Sequence, residues 1–359
     1  GQALDAYESG HFALAVEHSS GVHRELQRAD GLLQQGRAGE RRAVWDHKAV
    51  GWVSGDWNAS ARELERTGIH VLFTNVLNAG RAHYPSRHLE KTDTLRQHGD
   101  QLQQAIEACH PRGIQVHAWK VCWKLEGCSP ELLARMAREG RLQRNVDGET
   151  TPWLTPFHPA NRTHALAAVR ELVERYEVDG VHLDYIRFLN GTVDYSGAAR
   201  RAFERHLGRR VDRWPADASP GGALWSAYSR FRVDTITGFV RAVRREIDAV
   251  RPGVQLSAAV FGGYPSCVQG VGQDWVAWLR EGIVDFVCPM NYTEDLQRFR
   301  DLTARQVRLT GDANRIWPGI GVSAGESSLT ADEVIDQVLA ARRLGTPGWV
   351  LFDLDPELR

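Results

Sequence analysis

Asp179-Gly180-Val181-His182-Leu183-Asp184-Tyr185-Ile186-Arg187-Phe188 decides the fold. Val181 to Ile186 reads as a strand, and side chains alternate along a strand. His182 and Asp184 therefore share one face, and Val181 and Leu183 share the other. In a sheet wrapped by helices the apolar pair meets the helices. His182 and Asp184 then point into the interior of a barrel. A carboxylate there is costly unless it is paired or functional.

Working outward, the same unit recurs on both sides. Before this strand come a helical stripe of Leu166, Val169, Val173 and Tyr176 and a strand from Ile114 to Val121. Earlier still are strands Ile69 to Phe73 and Ala43 to Trp45, with a helix from about Asp56 to Thr67 between them. After it come a long helix carrying Ile236, Phe239, Val243, Ile247 and Val250, then strand Val254 to Phe261. Strands Val284 to Asn291, Ile316 to Val322 and Gly348 to Phe352 complete the series. Thr330 to Glu333 is a capping box opening the last helix. Val146-Asp147-Gly148-Glu149 signals a hairpin within an insertion.

Strands alternating with helices imply a parallel sheet, and eight of them favour closure into a (β/α)8 TIM barrel. An open doubly wound sheet is the alternative, but no GxGxxG turn follows the first strand. The first forty residues read as a polar helical extension, with Phe12, Leu14, Val16, Leu26, Leu32 and Leu33 as its apolar positions. The expected division is residues 1–40 for this extension, packed on the barrel or the tail of a truncated segment, and 41–359 for the barrel.

The 359 residues carry 44 Lys plus Arg and 45 Asp plus Glu, a net charge of −1. That balance gives no electrostatic reason to expect nucleic acid or an acidic membrane as partner. No run of about 18 apolar residues exists to span a bilayer. The 12 Trp fit a protein that stacks indoles on sugar rings, or equally a large barrel that buries them. No Cys pair has CxxC spacing, so no structural zinc site is expected. Cys122 and Cys128 lie six apart in an expected loop, close enough for a local disulfide.

Active sites of such barrels lie at the C-terminal ends of the strands. That rule selects Trp45, Asp46 and His47 from the first strand. The second supplies Asn75 and, from its loop, Arg81, His83 and Tyr84. The third and fourth supply His117, Trp119, Lys120, His182, Asp184 and Arg187. Asn291, Tyr292 and Glu294 follow the sixth, Glu326 the seventh, and Trp349 and Asp353 lie on or after the eighth.

Arg42-Ala43-Val44-Trp45, Tyr84-Pro85-Ser86, Val116-His117-Ala118-Trp119, Asp179 to Phe188 and Pro289-Met290-Asn291-Tyr292 together resemble the glycosyl-hydrolase-like family 10 barrels of bacteria. The resemblance runs from about Arg42 to Asp355. It implies a TIM-type fold, hydrolysis of O-glycosidic bonds, a functional carboxylate at Asp184 and an extracytoplasmic location. A more distant likeness is to chitinase-type barrels. Asp179, Gly180 and Asp184 match their strand-four signature, but its acid Glu falls on Ile186, so substrate-assisted chitinase chemistry is rejected. An amino-sugar polymer stays open as substrate.

Glycoside hydrolysis usually needs two carboxyl groups. Asp184 is the first, as nucleophile or base, with Arg187 and Lys120 expected to hold it ionised. Glu294 is the expected second, with Asp353, Glu326 and Asp46 in reserve. His47, His83, His117 and Tyr292 are expected to bind hydroxyls, and Trp45, Trp119 and Trp349 to stack on rings. Asn75, Arg81, Tyr84, His182 and Asn291 complete the expected substrate contacts. No cofactor or metal is expected. The rival readings are a non-catalytic carbohydrate-binding barrel and a metal-dependent amidohydrolase or deacetylase. Trp45-Asp46-His47 stands where the latter usually carries His-x-His.

Overall fold

The computed structural model describes residues 1–33 and 36–354, with residues 23–33 described as backbone only. Eight strands form its centre: β1 (Arg41–Asp46), β2 (Val71–Leu77), β3 (Gln115–Val121), β4 (Gly180–Asp184), β5 (Gln255–Phe261), β6 (Phe286–Met290), β7 (Gly319–Gly321) and β8 (Gly348–Phe352). Each pairs in parallel with its neighbours in chain order, and β1 pairs with both β2 and β8, so the sheet closes. The expected TIM barrel is present.

The helices that wrap it include α3 (Trp57–Arg66), α4 (Gln101–Cys109), α5 (Pro159–Arg175), α6 (Trp225–Val250), α7 (Trp275–Arg280), α8 (Leu296–Thr310) and α9 (Ala331–Arg343), preceded by α1 (Gln2–Glu8) and α2 (Phe12–Leu33). Asp56 caps α3 by accepting from the Ala59 amide. The capping box of Thr330 and Glu333 opens α9 as expected. Leu142–Arg144 and Thr150–Leu154 pair antiparallel around the Asp147-Gly148 turn. The N-terminal extension is helical, as expected. Helix α2 runs beside α9, but Phe12, Leu14 and Val16 are 60%, 47% and 66% exposed. Packing against the barrel therefore does not explain these apolar positions. The side chains of Leu26, Leu32 and Leu33, and residue Asp355, lie outside the described residues.

Strand parity sorts the core into two layers. Val44, Leu72, Val116, Ala118, Val181 and Leu183 join the layer between strands and helices. Ala43, Trp45, Phe73, Trp119, Ala259, Phe286 and Trp317 fill the barrel. Phe286 and Trp317 stack with ring centroids 4.0 Å apart. The filling constrains the backbone: a Cβ at Gly180 would come within 2.2 Å of His117 Nδ1. Glycine at that strand position is what lets His117 occupy the interior.

Candidate active site

Asp184 ends β4 on the inner face, as the parity of the strand requires. Its two carboxylate oxygens are separately held. Oδ2 accepts from Trp119 Nε1 at 3.2 Å, and Oδ1 accepts from the Tyr185 amide at 2.6 Å. Tyr185 reaches this position with φ +48, a conformation uncommon for a residue other than glycine. The strain sits beside the carboxylate, where backbone strain tends to mark function.

A cavity of about 230 Å³ opens above Asp184 at the C-terminal mouth of the barrel. Its walls include Trp45, His47, Trp119, Tyr185, Arg187, Phe261, Met290, Tyr292, Glu326 and Phe352. Arg187 lies over three aromatic rings, Phe261, Tyr185 and Trp153, at 4.7, 4.9 and 5.0 Å. Glu326 comes from the turn between the short strands Ser323–Ala324 and Ser327–Ser328 that follow β7. Among the described residues its carboxylate has no hydrogen bond or ion pair.

Burial is the largest influence on Asp184 and raises its pKa above the ordinary value. The Tyr185 amide, the Arg187 guanidinium, the Trp119 indole and His47 pull in the opposite direction without prevailing. The expectation that Arg187 and Lys120 lower the pKa of Asp184 is thus corrected: Arg187 acts in that direction but is outweighed by burial, and Lys120 is not among the influences. Lys120 has the parity of Val116 and Ala118 on β3, so it faces the helix layer. It is buried there, and its pKa is lowered by desolvation.

His182 sits one layer below. Trp45 Nε1 donates to its Nε2 at 3.0 Å, and its Nδ1 meets Ser257 Oγ at 2.8 Å. An indole N–H can only donate, so Nε2 must accept and the proton resides on Nδ1. Burial holds this imidazole neutral. His182 orients Trp45 beneath the cavity but does not line it. His117 lies deeper still, against Phe73 and Phe286, with neither ring nitrogen hydrogen-bonded. It fills the barrel.

Several expected substrate contacts lie elsewhere. Asn291 has the wrong parity and turns outward. Its amide bonds Gln306 in both directions, at 3.0 and 2.7 Å, and donates to Thr303. Trp349 packs in the outer layer for the same reason. Tyr84 is fully buried against Tyr176 of the segment after α5. Arg81 packs on Gly127 and His83 beside Thr92, so neither reaches the cavity. Asn75, with the inner-face parity of Phe73, does not line the cavity but donates to the carbonyl of His47, which does, at 3.3 Å. Asp46 accepts from Thr74 Oγ1 and the Gly51 amide, and its pKa is raised to about 6 by burial. It anchors the loop after β1 on the side opposite His47, so the two do not converge as a ligand pair. Asp353 accepts from Ser323 Oγ at 2.9 Å, bracing the hairpin that carries Glu326.

Glu294 is also reassigned. It accepts from the Ser328 amide at 3.2 Å and does not line the cavity. Glu326, held in reserve, does. Phe261, Met290 and Phe352 were legible from parity, since each ends a strand on its inner face. Tyr185 was not, because its left-handed backbone turns it out of the alternation. Cys122 and Cys128 are both buried free thiols, so the local disulfide is absent. Among the described residues no three or more His, Cys, Asp or Glu gather into a metal site, and no helix is long and apolar enough to cross a membrane.

Comparison with known proteins places this geometry. The nearly complete barrel is similar to the glycoside hydrolase domain of PgaB (BpsB) from Bordetella bronchiseptica. The TM-score is 0.68 at 16% identity, covering 87% of this chain and 94% of that one. It is also similar to the catalytic domain of a Paenibacillus polymyxa beta-amylase, at TM-score 0.62 and 10% identity over 88% and 92% of the two chains. These likenesses establish the fold. In sequence, the chain is 24% identical over 263 residues to glycosyl hydrolase DigH of Escherichia coli K12, 64% of this chain and 56% of the relative. Glycosyl hydrolase YngK of Bacillus subtilis is 20% identical over 258 residues, 64% and 47% of the two. The chain spans about half the length of these two curated relatives. The family model described as glycosyl hydrolase-like 10 matches residues 41–318, most of the chain. The chain belongs to the glycosyl hydrolase-like 10 family.

Proposed function

We propose that this protein hydrolyses O-glycosidic bonds of a poly- or oligosaccharide, with Asp184 as the central carboxyl group and Glu326 as its partner. One observation carries the reading. A buried carboxyl group, oriented through both oxygens, and a carboxylate unpartnered among the described residues line the same aromatic-walled cavity at the C-terminal end of the barrel strands.

The chemistry follows from the two environments. Burial raises the proton affinity of Asp184, which suits it to protonate the leaving glycosidic oxygen rather than to attack. Glu326 stands exposed on its hairpin, where a carboxylate stays solvated. It acts on the anomeric centre, directly or through water. Tyr292 and Phe352 offer ring surface to a sugar over the buried indoles of Trp45 and Trp119, and His47 and Arg187 offer donors to hydroxyls. An amino-sugar polymer is included among the substrates by the likeness to chitinase-type barrels. The family likeness supports an extracytoplasmic location, which fractionation of a producing cell tests.

A carbohydrate-binding barrel without turnover is the second reading. It is favoured by the hydrogen bonds that already occupy both oxygens of Asp184. Product release from a panel of bacterial polysaccharides, amino-sugar polymers included, separates the two. Cleavage that disappears in Asp184→Asn while binding persists supports the hydrolase. Binding without cleavage by the unaltered protein supports the second reading. Cleavage that survives Asp184→Asn would remove Asp184 from the centre.

A further inference from the structure

The cavity above Asp184 does not stand alone. A second cavity, of about 410 Å³, adjoins it on the β5–β6 side. Phe261, Met290, Tyr292 and Glu326 line both, so one wall and the candidate second carboxylate stand at the junction. The first cavity, at 230 Å³, is smaller than the roughly 300–1,000 Å³ usual for a ligand site. The second supplies the missing room.

The composition of the second cavity is that of a sugar site. Arg298 lines it, and among the described residues its guanidinium makes no hydrogen bond or ion pair. Five N–H donors thus stand free at the edge of a cleft. The Ser266 hydroxyl spends its proton on the Gly263 carbonyl at 2.7 Å, which leaves its lone pairs open to a ligand donor. Beside Ser266 the wall is short of side chains, with glycines interspersed among Cys267 and Val271. Gly263 and Gly270 line it, and a Cβ added at Gly270 meets nothing within 4 Å. At these glycines a ring can come close to the main chain.

We infer that the cleft holds a carbohydrate chain across both compartments, with Arg298, Ser266 and the wall at Gly263 and Gly270 binding the sugar next to the one at Asp184. The inference rests on the reading above only in taking a carbohydrate as ligand. It makes the substrate a chain lying across the β5–β6 rim, not a single sugar confined to the barrel mouth.

Gly270→Phe tests it. The Gly270 backbone does not have the positive φ that penalises side chains, and an added Cβ meets nothing within 4 Å, so a side chain starts into open space without backbone strain. Arg298→Ala, on an exposed side chain, is the second variant, and it decides alone if the first fails to fold by its thermal midpoint. Both are made in the Asp184→Asn background and run by affinity electrophoresis through gels containing each polysaccharide of the panel. The expected result is retardation of the parent and binding weakened about tenfold or more in the variants. Equal retardation of parent and variants would overturn the second compartment and leave the hydrolase reading intact. Weakened variants, combined with no cleavage by the unaltered protein, would keep the compartment and remove the hydrolase. No retardation of the parent by any polysaccharide would overturn both.

Discussion

Trp119 Nε1 donates to Asp184 Oδ2 at 3.2 Å across neighbouring strands of the barrel. The bond fixes the carboxyl group and also opposes the rise in its pKa, because an N–H donor favours the charged form. Trp119→Phe keeps one aromatic ring and deletes the donor together with the rest of the indole. The pKa of Asp184 should then rise further. If Asp184 is the proton donor, the alkaline limb of kcat/KM against pH moves to higher pH in the variant. A pH–rate profile checks this, and an unmoved limb would mean that Asp184 is not the titrating acid.

The two glutamates near the sixth and seventh strands divide by position. Glu326→Gln should lower kcat by about 10²–10⁴, the usual worth of an acid–base group. Glu294→Gln, which alters only an acceptor for the Ser328 amide, should change kcat by no more than a few fold. Steady-state kinetics on the cleaved polysaccharide compares them directly.

Asn291→Ala should cost stability and spare chemistry. It leaves Gln306 Oε1 without a donor in a buried layer, while Gln306 Nε2 keeps only the Gly262 carbonyl. The expected loss is about 1–3 kcal/mol, read by denaturant unfolding. KM should stay near its original value, since the side chain faces α8 and not the cavity.

Acid should unfold the protein through its buried imidazoles. His117 is held neutral by burial, with its pKa lowered to about 4. The unfolded chain takes up that proton near pH 6.5, so below this pH it binds more protons than the folded state. Stability is therefore full above about pH 6.5 and falls as the pH drops toward 4, by about 1.4 kcal/mol per pH unit for each such histidine. His182, lowered well below its ordinary value, adds to the same slope. Unfolding free energies at several pH values should show the decline, and His117→Leu should flatten it by one proton.

All five cysteines are buried free thiols. The thermal midpoint should be the same with and without reductant. Alkylation after unfolding without reductant should add five adducts by mass. A missing pair would restore the Cys122–Cys128 bridge.

The barrel and the inward placement of Asp184 were determined by the sequence, through periodicity. Alternation on β4 is a local property, and it assigned His182 and Asp184 to the interior before any contact was known. The same rule, carried through every strand, rejects Asn291, Trp349 and Lys120 and admits Phe261 and Phe352. These assignments were legible but were overridden by residue type. Glu326, Tyr185 and the adjoining cavity were decided by tertiary structure alone. A loop side chain has no period, so its direction depends on where the hairpin after β7 folds back. Tyr185 leaves the alternation through a positive φ. The pKa of Asp184 was decided in the same way: burial outweighs the nearby donors, and burial belongs to the closed barrel and not to any segment of it.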